Sequence, residues 1–183
     1  IVTDSLLGIK YVMTKYPGDG YSRYVTSSGD IDLYENPTAL PLGYLADSEI
    51  LSLSLEEGKG IQNQNAMVKA MSGTDADCFV KITDWQRSYQ NLTLTAGNSG
   101  RTKFTKRNDD MAASVTYTFT AVSDEPIYLS FPSVVKRSCR LYVNGENLGS
   151  IFTNETTCTH LLGSFEAGEE VRVTLRLSGD TAE

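Results

Sequence analysis

Hydrophobic and polar residues alternate along much of the chain. In the clearest run, Val171, Val173, Leu175 and Leu177 alternate with arginine and threonine. Because successive side chains of a strand point to opposite faces, such a run predicts a strand with one buried face. The same alternation predicts strands at 51–55, 115–121, 127–131 and 139–143, and weaker patterns predict short strands at 79–83, 91–95 and 102–106.

Turn-forming residues separate these predicted strands. Asn144-Gly145 lies between two of them, and this pair favours the positive φ angles of a tight hairpin turn. Short strands at such spacing are typical of two antiparallel sheets packed face to face. We therefore predict a mainly β fold, in which residues 77–183 form an antiparallel β-sandwich of jelly-roll-like character.

The first part of the chain, residues 1–76, predicts a small α+β lobe before the sandwich. Its clearest helix is Asn65–Met71, with Asn63 or Asn65 as N-cap and Gly73 as left-handed C-cap. The chain opens on Ile1 rather than Met, which indicates a segment of a longer polypeptide. In that case two interpretations stay open, a lobe that is complete as it stands and one that residues upstream of Ile1 complete.

The charge of the chain argues against one class of binding partner. The 183 residues carry 16 basic and 23 acidic side chains, for a formal net charge of −7. No basic stripe with interleaved aromatic residues is present, so the sequence argues against nucleic-acid binding. No glycine-rich phosphate loop occurs either, and we expect no bound cofactor.

The sequence offers little catalytic chemistry. His160 is the single histidine, and its neighbour Cys158 lacks the further ligands that a zinc site needs. Carboxylate pairs occur only in turn-like stretches, where solubility explains them. The best of them, Asp75 and Asp77, lacks the other ligands of a calcium loop. We expect neither a catalytic residue nor a metal site.

Aromatic residues are the candidate binding groups. Trp85 and Tyr89, with Tyr142 on the polar phase of its strand, have the character of aromatics that stack on sugar rings. The alternative interpretation is that these rings pack between sheets or cover a sheet edge.

Three cysteines exclude complete internal pairing. Cys139 and Cys158 flank a predicted hairpin, so a disulfide between them is one interpretation. The other is that all three cysteines, including Cys78, are small buried hydrophobic residues.

Three segments of the first part carry a family resemblance. They read LLGIKYVMT at 6–14, LYENPTALPLGYL at 33–45 and QNAMVKAMSG at 64–73. The first two resemble paired strand motifs of bacterial YfhO-type membrane proteins. The third resembles the Gln-Asn helix element of the same family, although the Pro-Phe pair that usually precedes it is missing here.

The resemblance implies a function. Such proteins are polytopic, have a membrane region like that of GT-C glycosyltransferases, and are implicated in glycosylating envelope polymers such as lipoteichoic acid in Gram-positive bacteria. It implies that this chain is an extracellular domain whose partner is the membrane-embedded region of the same polypeptide, with an envelope glycan or teichoic acid as a second partner. The family's catalytic carboxylates are expected outside this segment.

Three functions from different classes stay open, the third of which, a hydrolase, would need a carboxylate pair facing across a cleft. The first is a non-catalytic extracytoplasmic domain of a membrane glycosyltransferase-like protein. The alternative is a stand-alone carbohydrate-binding β-sandwich module, which a groove lined by Trp85 or Tyr89 would favour.

Overall fold

The computed structural model describes residues 2–15, 23–96, 102–131, 138–152, 159–178 and 181–182. By their contacts, the residues divide into two compact units, Ile1–Lys81 with Thr159–Leu161 and Ile82–Cys158 with Leu162–Glu183. The predicted boundary between two domains, at residues 76 and 77, stays a prediction, because contacts alone do not show whether either part folds independently.

The first unit combines short helices with one antiparallel sheet. The sheet has the order β1-β3-β2. Its elements are α1 (Val2–Leu6), β1 (Tyr11–Thr14), β2 (Arg23–Ser28), β3 (Ile31–Glu35), a 3-10 helix (Ser48–Ser52) and α2 (Gly60–Ser72).

The second unit is built from antiparallel strands. They are β4 (Trp85–Gln90), β5 (Leu92–Ala96), β6 (Thr102–Lys106), β7 (Ser114–Thr120), β8 (Pro126–Ser130), β9 (Cys139–Val143), β10 (Glu146–Ile151), β11 (Thr159–Ser164, whose first three residues are grouped with the first unit), β12 (Glu170–Leu177) and β13 (Thr181–Ala182). Five of them form a sheet of order β10-β9-β12-β7-β4, and smaller sheets have the orders β11-β8 and β13-β6-β5.

One hydrophobic core fills the second unit. Val115, Leu141 and Val173, from three neighbouring strands of the five-stranded sheet, are buried there. Side chains of the smaller sheets pack into the same core, among them Leu92, Phe104, Ile127 and Leu162. Burial of each such aliphatic side chain stabilises the folded state by about 1.5–3 kcal/mol. The structure thus confirms the predicted mainly β, antiparallel fold with a small α+β lobe before it.

The Asn-Gly turn is also confirmed. Asn144 and Gly145 have φ angles of 50° and 89° and join β9 to β10. Both angles lie in the left-handed region that a two-residue hairpin turn requires.

The predicted strand over the alternating leucines at 51–55 is wrong. Asp47 accepts a hydrogen bond from the Glu49 amide at 3.0 Å and so caps the 3-10 helix Ser48–Ser52. The residues after that helix form no strand. Among the described residues, the alternating leucines have no neighbouring strand to pair with. The side-chain cap at Asp47 therefore favours a short helix in this segment over a strand.

The predicted strand at 79–83 is also wrong, and the true strand β4 begins at Trp85. All six residues of β4 are exposed. An edge strand of this kind lacks the apolar alternation that reveals half-buried strands.

The helix α2 starts earlier than predicted, at Gly60, and its N-cap is Lys59 rather than Asn63 or Asn65. Both asparagines use their side chains elsewhere. Asn65 accepts from the Phe79 amide and donates to the Phe79 carbonyl, each at 2.8 Å. The C-cap prediction is confirmed, since Gly73 has a φ of 65°.

Candidate functional site

Two of the three aromatic candidates lie together on β4. Trp85 and Tyr89 are separated by Arg87, and these three alternate positions share one side of the strand. Trp85 is 42% exposed and Tyr89 is 38% exposed. At about 3.3 Å per residue, the two rings are anchored about 13 Å apart along the strand. We call these three residues the β4 ladder.

Arg87 holds the β4 ladder together. Its guanidinium carbon lies 5.7 Å from the centre of the Trp85 ring and 5.2 Å from the centre of the Tyr89 ring. Both distances are within the range of cation–π attraction, worth about 0.5–1 kcal/mol each at exposed positions. The cation therefore contacts both rings and favours their present orientation.

Each ring of the β4 ladder also packs against another aromatic ring of the second unit, on the neighbouring strand β7 for Trp85 and on β6 of a smaller sheet for Tyr89. Trp85 meets Tyr117 edge to face, with ring centres 5.4 Å apart, and Tyr89 lies 6.3 Å from Phe104. β4 is an edge strand of its sheet. The rings thus cover the rim of the core and still expose more than a third of their surface, which leaves both the packing and the binding interpretation available.

Tyr142 does not join this group. On β9 it lies opposite Thr174 of β12, on the face of the sheet that points away from the core. Trp85 lies opposite Phe119, on the core-facing side. The sequence analysis missed Arg87, although its position midway between two aromatics on one strand face was a readable signal.

The cysteines occupy different surroundings. Cys139 is buried in the core, and burial raises the pKa of its thiol to about 11. Cys158 lies outside the described residues, so the pairing of Cys139 with Cys158 stays a prediction. Cys78 is exposed and its thiol donates to Asn65 Oδ1 at 3.1 Å. Partial desolvation raises the pKa of the Cys78 thiol as well.

The first two sequence motifs meet in a buried hydrogen-bond junction around Asn36. The Asn36 amide donates to Ser5 Oγ at 3.2 Å and to the Ile9 carbonyl at 3.1 Å. Its oxygen accepts from the Thr38 amide at 3.2 Å and from Thr38 Oγ1 at 2.8 Å. Asn36 is only 3% exposed and every polar atom of its side chain is paired. These motif residues therefore have a structural explanation.

A close backbone approach reinforces this junction. The Leu40 amide donates to the Ser5 carbonyl at 2.9 Å. Gly8 has a φ of 68°, and a Cβ added there would stand 3.0 Å from the Leu40 carbonyl oxygen. Only glycine combines this angle with this approach at low cost.

None of the three helices among the described residues has the length and apolar character that crossing a bilayer demands. Within the same residues, His, Cys, Asp and Glu form no group of three or more placed to hold a metal ion.

Comparison with known proteins identifies the family. No curated protein and no solved structure matches the chain. A family model described as bacterial membrane protein YfhO matches residues 1–183. The chain therefore belongs to the YfhO family of bacterial membrane proteins.

Proposed function

We propose that this chain is an extracytoplasmic, non-catalytic domain of a polytopic YfhO protein that acts in the glycosylation of an envelope polymer of the lipoteichoic acid type. In this role the domain holds the acceptor glycan at the outer face of the membrane, and the membrane-embedded region of the same polypeptide transfers the sugar. Family membership and the β4 ladder support the proposal.

The β4 ladder is the observation that carries the glycan-binding part. Aromatic side chains present apolar faces that suit the C–H surfaces of sugar rings. Arg87 adds hydrogen-bond donors for hydroxyl or anionic groups between those rings. Because Arg87 already favours the present orientation of Trp85 and Tyr89, binding a glycan costs less side-chain entropy.

Exposed leucines in the first unit support a partner for the domain. Leu42 and Leu45 are fully exposed, and Leu51 is nearly so. Large apolar side chains exposed within one segment indicate an interaction surface. We assign this surface to contact with the membrane-embedded region of the same polypeptide.

Calorimetric titration of the chain with neutral envelope glycans tests the binding role of the β4 ladder. We expect heat of binding from the wild type and a loss of affinity on the order of tenfold in Trp85→Ala/Tyr89→Ala, because two stacking contacts of about 0.5–1.5 kcal/mol disappear. Tyr24→Ala, which removes an exposed aromatic from the first unit, serves as the matched control. Absence of heat with every neutral envelope glycan would refute glycan binding by the β4 ladder.

A second candidate, the stand-alone carbohydrate-binding module, is favoured by the same ladder. Introducing Trp85→Ala/Tyr89→Ala into the full-length protein in cells separates the two. Loss of polymer glycosylation agrees with the proposed role, whereas unchanged glycosylation despite lost binding favours the independent module. Turnover of any saccharide by the purified chain would contradict a non-catalytic domain.

A further inference from the structure

The five-stranded sheet has a polar outer face, opposite the core. Residues directly opposite each other on antiparallel strands share a face. The register therefore places Thr174 beside Thr116, and Arg176 beside Arg140, on this outer face. The two threonine hydroxyls bond to each other at 2.9 Å. Among the outward positions of the five described strands, Glu170 is the single carboxylate.

Arg140 and Arg176 form an unusual pair. They lie directly opposite each other on the neighbouring strands β9 and β12, and both are exposed. Like charges at directly opposite positions destabilise a sheet. Within the parts of the chain that the structure describes, neither guanidinium has an ion pair or a side-chain hydrogen bond to offset this repulsion.

Arg172 provides the contrast on the same face. Its Nη2 lies 2.7 Å from Glu170 Oε1, and its Nε donates to the same oxygen at 2.9 Å. That charge is neutralised locally. The chain as a whole carries a net charge of −7, so two adjacent arginines that lack an acidic partner among the described residues are unusual in it.

We propose that Arg140 and Arg176 are the anion-binding centre of a docking surface for the phosphodiester groups of an extended polymer. The planar guanidinium matches phosphate oxygens in a two-point fashion, and two of them on adjacent strands hold one phosphodiester from both sides. Tyr142 lies two residues from Arg140 on the same face and adds a hydroxyl. The inference rests on the proposed function for the envelope origin of this polymer.

The position of the pair within the sheet favours such a polymer over a peptide. β9 is paired with β10 and β12, and β12 is paired with β9 and β7. No backbone edge is available at these strands for an incoming peptide to extend the sheet. A ligand here must be recognised by side-chain charges and hydroxyls alone, which suits an anionic chain rich in hydroxyl groups.

Titration with synthetic poly(glycerol phosphate) tests the inference. We expect the 183-residue chain to bind it with an affinity that falls as salt rises, since exposed charge pairs are screened. Arg140→Gln/Arg176→Gln should lower that affinity on the order of tenfold or more, because charge-assisted hydrogen bonds are lost. The matched control Arg172→Gln, on the same strand and face, should change it less than about twofold, since that charge is already neutralised.

Three further measurements decide between this surface and its alternatives. Trp85→Ala/Tyr89→Ala should leave poly(glycerol phosphate) affinity intact, which separates failure of this inference from failure of the β4 ladder. Uncharged polyglycerol should not bind through the arginine pair. Equal binding of polyglutamate would overturn the inference in favour of an acidic protein segment. An unchanged affinity in Arg140→Gln/Arg176→Gln, or no binding by the wild type, would overturn it as well.

Discussion

Asn36 offers the sharpest test of how the first unit is held together. Its side chain makes four hydrogen bonds, to Ser5, Ile9 and, twice, Thr38, in a site that is 3% exposed. Asn36→Ala removes all four at once. Asn36→Asp keeps the size of the side chain and its one acceptor oxygen but replaces the donating amide nitrogen by a second carboxylate oxygen.

The structure sets the size of the effect. A neutral hydrogen bond contributes about 1 kcal/mol net, and a buried polar group left unpaired costs about 1–3 kcal/mol. The Ile9 carbonyl loses its donor in Asn36→Ala, whereas exposed Thr38 regains water. We therefore expect the free energy of unfolding of this unit to fall by about 2–4 kcal/mol, a large part of the stability of a typical domain.

Asn36→Asp should also destabilise, with a dependence on pH that Asn36→Ala lacks. The new carboxylate faces the Ile9 carbonyl oxygen, and this contact together with burial raises the pKa of the introduced acid in the folded state. A carboxyl pKa raised on folding means that the folded state binds the proton more tightly than the unfolded state does. Stability of the variant should therefore rise as pH falls, because the protonated acid donates to that carbonyl.

Hydrogen exchange followed by mass spectrometry on peptides from residues 31–45 reports the opening free energy of this unit directly. Gln64→Ala serves as the control in the same unit, since its amide makes a single 3.3 Å bond to the Gly60 carbonyl. An opening free energy in Asn36→Ala within about 0.5 kcal/mol of the wild type, the usual effect of a surface substitution, would refute the structural role of the junction.

Three further predictions concern the second unit and the cysteines. Gly145→Ala, at a φ of 89°, should lower the free energy of unfolding by about 1 kcal/mol in denaturant melts, because a side chain strains the left-handed backbone. Arg176→Thr should raise it by about 0.2–1 kcal/mol by removing the repulsion from Arg140; a loss of stability would show that the opposed charges are compensated. In reduced protein at about pH 8, iodoacetamide should label exposed Cys78 well before buried Cys139, whose thiol pKa is about 11. Mass spectrometry of the digest gives the order of labelling, and faster labelling of Cys139 would contradict its protection by burial.

The core strands could be predicted from the sequence because their alternation reflects burial. Along β12, Val171 and Val173 are buried and Arg172 between them is exposed. The same signal is absent from β4, where aromatic and polar residues are all exposed. It misleads at Leu51, where alternation occurs without a partner strand and the local cap at Asp47 decides the structure.

The candidate binding residues also differ in how much of their arrangement the sequence predicts. Trp85 and Tyr89 could be named as candidates from their aromatic character, but their shared side of one strand could not be predicted, since the sequence does not reveal β4. The outward position of Tyr142 follows from the alternation along β9. That Trp85 and Tyr89 lie on the other, core-facing side depends on the pairing of β4 with β7, which no short sequence pattern encodes. The opposition of Arg140 and Arg176 is of the same kind, since it depends on the register between β9 and β12.

The position of β4 at the end of its sheet bears on the solubility of the protein. An unpaired strand edge is a template on which other chains can assemble, and natural proteins discourage this with charged side chains. Arg87 lies at the centre of β4 and is the strand's one charged residue. Replacing it by an uncharged β-former would leave two aromatics on an edge without a charge, so we expect Arg87 to oppose edge-to-edge association in addition to contacting the rings.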